Sequence, residues 1–184
     1  MATRPRLRKF ALTAHVISSV GWLGAVAVFL ALSVIGLTST DGPAVRACYV
    51  AMEAIGFFVL VPLSIAALIS GLVQSFGTKW GLLRHYWVVM KLLITVVATV
   101  ILLLYMQSLS HLSDLARELT APSDLDELRS PSPVLHAGAG LLLLIGAASL
   151  SVYKPPGMTR YGQRRQNARR RDEAASTPAA RSRA

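Results

Sequence analysis

The chain has 184 residues, 53 % of them hydrophobic, with one cysteine, four histidines and a formal net charge of +10. That balance is too apolar for an ordinary soluble domain. A single cysteine excludes an internal disulfide, and histidines without CxxC or HExxH spacing exclude the familiar zinc patterns. The basic residues lie at chain ends and loop borders with no aromatic interleaving, which argues against nucleic-acid binding.

Residues 1–10 form a basic N-terminus containing Arg4, Arg6, Arg8 and Lys9, and an apolar stretch follows over 11–37. A stretch of that length without a small-residue cleavage site reads as a retained membrane helix and not as a signal peptide. His15 lies roughly 7 Å into the hydrocarbon at 1.5 Å per residue. Ser18, Ser19 and Trp22 share its face, and Ala14, Ser18, Gly21 and Ala25 make an adjacent small-residue seam. A second span is predicted over 47–76, with Pro62 kinking it. Its Glu53 shares a face with Gly56, Ser64, Ala67 and Gly71.

The third span, 86–109, opens on His85, Tyr86 and Trp87, and Trp80 and Tyr86 read as an interfacial aromatic belt. Lys91 shares its face with Trp87, Thr95, Ala98 and Tyr105. A loop over 111–133 carries Asp114, Glu118, Asp124, Asp126 and Glu127. It is expected to hold a short amphipathic turn or two built on Leu115, Leu119, Leu125 and Leu128. The fourth span covers 134–153, with His136 just inside it. The tail, 154–184, has nine basic and two acidic residues and no apolar periodicity, so it is expected to be mostly disordered. Beside an anionic inner leaflet its cations contribute roughly 1 kcal/mol each.

Four stretches of about 20 apolar residues or more make an all-α, integral membrane, up-down four-helix bundle over 11–153 the expected architecture. Fifteen Lys or Arg fall on the side of the termini and three, Arg46, Arg117 and Arg129, on the other. The rule that cations favour the inside therefore puts both termini in the cytoplasm of a plasma membrane.

Ionisable side chains inside spans cost a few kcal/mol unless partnered and are the first places to look for function. They fall into two sets. In the inner half, His15 and Lys91 lie at similar depth, and two cations there would repel. A neutral His15 with Lys91 paired to an anion is the sensible arrangement. No Asp or Glu occupies that depth, which leaves a lipid headgroup, a haem propionate or a substrate carboxylate as the anion. Structural readings stand beside this one: Lys91 snorkelling to the headgroups, Trp22 packing, and His15 in a structural hydrogen bond. In the outer half, Glu53, His111 and His136 form a looser set and an alternative metal site.

The segment His15-Val16-Ile17 followed by Trp22-Leu23-Gly24 resembles the first-helix pattern of HemJ-type protoporphyrinogen oxidases and CopD-type membrane proteins. Trp87-Val88-Val89-Met90-Lys91-Leu92 is similar to their third-helix segment. Over about residues 9–162 the chain resembles small bacterial four-helix integral membrane proteins, including the stretches WGLLRHYWVVMKLL and VYKPPGMTRYG. The resemblance implies haem b as cofactor, His15 as axial ligand to its iron and Lys91 as a polar partner to a propionate, with Trp22 and Trp87 beside them. It departs from HemJ at Ala25-Val26-Ala27-Val28-Phe29, which lacks the aromatic, proline and arginine-rich continuation. It departs from CopD in having fewer helices and only scattered Met. It is therefore carried to haem binding and not to porphyrinogen oxidation or copper transport.

Three functions follow as expectations: a haem-binding, redox-associated membrane protein; an accessory or structural subunit, docking a membrane protein or a second copy through Ala14, Ser18, Gly21 and Ala25 with Gly138 and Gly140; and a small-solute or proton transporter using Glu53 and Lys91. No nucleophile with an attached base, phosphate-cradling glycine loop or pair of catalytic carboxylates marks an enzyme.

Overall fold

Long apolar runs satisfy their backbone groups internally by coiling into helices, and the chain does so almost throughout. The computed structural model describes residues 5–77, 85–118, 125–153 and 155–176. Helix α1 covers Pro5–Thr38 and α2 covers Gly42–Ile55. A π-helical turn, Gly56–Leu60, joins α2 to α3, Val61–Gly77. Then come α4 (Tyr86–Glu118), the single turn α5 (Leu125–Leu128), α6 (Ser132–Tyr153) and α7 (Arg160–Ser176). Among the described residues there is no strand, only an isolated antiparallel bridge between His85 and Met158. That bridge ties the entrance of α4 to the segment that leaves α6.

Four helical stretches, Arg6–Thr38, Gly42–Ser75, Tyr86–Glu118 and Asp126–Tyr153, are long and apolar enough to cross a membrane. In each, no more than 28 % of the most apolar window is buried within the chain, so most apolar side chains face outward. Phe58 is 81 % exposed and Leu142 72 %, an unsustainable surface in water and an ordinary one in lipid. Helix α1 packs against α2, α3 and α6, and α4 packs against the same three. The core between them is built from Trp22, Phe29, Tyr49, Met52, Met106 and Leu109. Where lipid is as apolar as the core, close packing and internal hydrogen bonds hold helices together. Three of the buried hydroxyls bond within their own helices: Ser33 donates to Leu30 O at 2.8 Å, Ser64 to Val61 O at 2.8 Å and Thr99 to Thr95 O at 2.8 Å.

The disturbance expected at Pro62 takes the form of the π-helical turn. Proline has no N–H to offer and its ring crowds the carbonyl four residues back. The chain widens by one residue just before it, and the Val61 N–H reaches Gly56 O. Single π turns of this kind are a recognised way of accommodating such a misfit.

Two expectations are corrected. The loop predicted from residue 111 is helical to Glu118, because Leu109, Ser113 and Ala116 continue a buried stripe on α4 at 1 %, 0 % and 2 % exposure. Of the amphipathic turn residues, Leu115 therefore sits on α4, while Leu128 closes α5 and is fully buried. The tail, expected to be mostly disordered, contains α7. Its Arg, Gln, Ala and Glu residues are good helix formers, and its described side chains are exposed apart from Gly162 and Gln166, so the helix has no apolar face and was invisible to periodicity. Trp80, Leu119, Asp124, Lys154 and the chain ends lie outside the described residues.

The end of the bundle at the connection between α1 and α2 is closed by polar ties. The Tyr49 hydroxyl donates to Leu128 O at 2.6 Å, and Arg129 Nη2 donates to Ser39 O at 3.2 Å. Together they bind α5 and the start of α6 to α2 and to the connection between α1 and α2.

Candidate functional site

His15 enters the bundle nearly three turns along α1 and meets the middle of α3. Its Nδ1 lies 3.1 Å from Ala67 O and 3.1 Å from Ser70 Oγ. A carbonyl oxygen only accepts, so Nδ1 carries a proton in this contact, and in the neutral tautomer the lone pair is on Nε2. Lys91 Nζ, from α4, stands 3.4 Å from that Nε2. The arrangement relies on Gly71: a Cβ there would lie 3.2 Å from His15 Cε1, tighter than packed atoms ordinarily sit. Gln74 Nε2 donates to Ala11 O at 3.1 Å, one turn before His15, which fixes α1 against α3 at the same level.

His15, Gly71, Gln74 and Lys91 border a cavity of about 430 Å³ between α1, α3 and α4, reached also by Ser151 of α6. Trp87 and Thr95 line it beside Lys91, and Leu12, Val16, Leu68 and Leu92 supply apolar walls. None of its lining side chains is acidic. Among the described residues the ion pairs are Glu53 to Arg117, Arg117 to Asp114 and Arg129 to Asp126, so Lys91 has no carboxylate partner there. The inner pair expected from the sequence thus shares one cavity, and Trp87 joins it. Trp22 does not. It is 3 % exposed and lines a second cavity further along the bundle.

The outer metal set is not assembled. Among the described residues no three His, Cys, Asp or Glu come together as a metal-binding group. Glu53 Oε2 instead pairs with Arg117 Nη2 at 2.6 Å. That contact exists only because α4 continues past residue 109. His136 stacks on Tyr105 with ring centroids 4.0 Å apart, and its Nδ1 donates to Ser132 O at 2.9 Å. His111 is exposed on the surface of α4.

Two further expectations change. Glu53, the proposed isolated charge of a transporter, is in an ion pair, which leaves Lys91 alone in that role. The small-residue seam of α1 is used within the chain: Ser18 is buried, and a Cβ on Gly21 would lie 3.2 Å from Leu63. Gly138 still faces open space, whereas a Cβ on Gly140 would meet Val26 at 3.9 Å.

The partners of His15 that residue patterns did not assign are the Ala67 carbonyl and Ser70. Ala67 and Gly71 were placed on the Glu53 face, but the extra residue of the π-helical turn changes the register between the two halves of the second span. A helical wheel that ignores Pro62 misassigns them. Comparison with known proteins finds no matching family model, no similar curated protein and no similar solved structure.

Proposed function

We propose that this chain is a multi-pass protein of the bacterial plasma membrane, its four spans running up and down with both termini cytoplasmic, and that the His15 and Lys91 cavity binds haem b. The observation that carries the haem reading is the imidazole held by Ala67 O with Nε2 turned toward Lys91 in a cavity without a carboxylate. A histidine ligand to a metal characteristically donates its other ring N–H to a carbonyl or carboxylate, which fixes tautomer and orientation. The ammonium of Lys91 offers a counter-charge for a propionate. For His15 to hold the iron, Lys91 would have to leave Nε2, a movement its four-carbon stem permits. Trp87, Leu12, Val16 and Leu92 furnish apolar contact for a macrocycle.

Haem b, when bound, supplies one-electron redox chemistry whose potential follows axial ligation and neighbouring hydrogen bonds. In this reading His15 binds, Ala67 and Ser70 orient it, Lys91 sets the local charge, and the basic segment containing α7 lies against anionic inner-leaflet lipid. The partial burial of the imidazole limits access of water to the iron-binding nitrogen.

The test is the absorption spectrum of detergent-purified protein expressed with ample haem. A Soret band is expected, lost in His15→Ala. In Lys91→Met it is expected to remain, with weaker retention of haem during purification. Absence of the band in the wild-type chain removes the haem reading. An unchanged spectrum in His15→Ala removes the ligand assignment.

A further inference from the structure

The second cavity is a groove between α4 and α6 with α1 as its floor, and has a volume of about 300 Å³. Trp22, Val26 and Phe29, all buried, supply that floor. Ile101 of α4 and Leu135 of α6 stand at the open side at 44 % and 67 % exposure. One turn beyond Ile101 is Leu104 and two turns beyond Leu135 is Leu142, both more exposed still. The groove is thus continuous with the apolar flank that lipid covers when the helices span a bilayer. No Asp, Glu, Lys or Arg lines it, and the Tyr105 hydroxyl is buried and turned away from it. Water needs several polar partners to stay in such a space, and apolar cavities of about 150 Å³ remain dry yet take up hydrocarbon guests. Left empty, the walls forfeit their dispersion contacts.

The dimensions of the groove select its guest. Along α6 the lining extends from Leu135 to Leu144, about 14 Å at 1.5 Å per residue. That length matches the hydrocarbon of one leaflet, about 15 Å. Over it, a volume of about 300 Å³ gives a mean section of about 20 Å², which fits a single extended hydrocarbon chain and is too narrow for two chains or a fused ring system. The groove also has a direction. Arg129, just before α6, bonds to Ser39, just after α1, so the two helices run antiparallel, and Val26 faces Gly140. Trp22, one turn before Val26, therefore lies toward Leu144, with Leu135 and His136 at the other end. We propose that the groove holds one acyl chain of a membrane glycerolipid, from the leaflet on the side of the α1–α2 connection, with its ester end at Leu135 and its terminal methyl at Trp22. Ala137, Ala139 and Gly140 leave the space that this chain fills between α4 and α6. The inference rests on the membrane reading above and is independent of haem binding in the His15 cavity.

The test uses the full chain with Trp80→Phe and Trp87→Phe, so that Trp22 is the sole fluorophore of its kind, in nanodiscs of phosphatidylcholine brominated on one acyl chain. Trp22 is 3 % exposed, so lipid in the surrounding bilayer is held off its ring and close contact requires a chain in the groove. Most of the Trp22 emission is expected to be lost when the bromines lie near the terminal methyl, and much less when they lie near the ester. Gly140→Leu fills the groove, and a Cβ at that position meets Val26 at an ordinary contact distance of 3.9 Å. Ala139→Phe covers the mouth from an exposed position and leaves the buried packing alone. Each should reduce the quenching by about half or more. Equal quenching in the parent and both variants overturns the proposal, because bromine then reaches Trp22 without entering the groove. Absence of quenching overturns it as well, and stronger quenching from bromines near the ester overturns the assigned direction of the chain. Recovery of the protein in the soluble fraction without detergent removes the membrane reading and this inference together, whereas the quenching results bear on this inference alone.

Discussion

Tyr49 shows how a single polar atom closes this bundle. It is 1 % exposed, donates to Leu128 O at 2.6 Å and accepts from the Ser130 N–H at 3.4 Å. Removing that hydroxyl leaves a buried carbonyl without its partner, a cost of about 1 kcal/mol. Tyr49→Phe is therefore expected to lower the thermal midpoint in detergent by about 2–4 °C, measured by circular dichroism, with the helical content unchanged. No change would mean that water reaches Leu128 O and that α5 is not the seal described. Gly71 acts in the opposite sense, by the absence of a side chain, and it is the position that allows His15 to lie flat against α3. Both residue types are plain in the sequence, but neither partner is.

At the scale of elements, the two helical extensions differ in what supports them. The last two turns of α4 bury Ser113 and Ala116 and carry Arg117 to Glu53. Helix α7 has an exposed, charged surface, with Arg165 over the Tyr161 ring at 5.9 Å among its few side-chain contacts. Short helices without a buried face are marginal in water. Hydrogen exchange should separate them. Backbone amides of Leu112 to Ala116 are expected to exchange slowly, and those of Gln163 to Arg171 within the dead time of a manual experiment unless anionic vesicles are present. Fast exchange throughout 110–118 would return that segment to the loop that composition alone predicts. The π-helical turn before Pro62 belongs to this scale as well, since one extra residue there determines which side chains of α3 meet α1.

For the whole molecule, the decisive property is the outward face. Phe58, Leu142, Leu104 and Ile17 are each more than 60 % exposed, an arrangement that suits a lipid surround. The proposed topology rests on charge. In a Cys48→Ser background, Thr40→Cys is expected to react with a membrane-impermeant maleimide added to intact spheroplasts, and Gln163→Cys only after lysis. The reverse pattern would invert the proposed orientation and move the His15 cavity to the outer half.

Helical class and the number of apolar stretches were legible from the sequence by itself, because hydrocarbon length acts on each segment independently. Helix ends were less legible: α4 ends nine residues beyond its apolar run, and α7 has no apolar run at all. The pairing of side chains belonged to the tertiary structure. His15 with Lys91, Glu53 with Arg117 and His136 with Tyr105 each join residues distant in the chain, and their rotation about the helix axes depends on packing and on the π turn that Pro62 imposes. Composition measures how deeply a residue can sit; only the assembled helices decide what it faces.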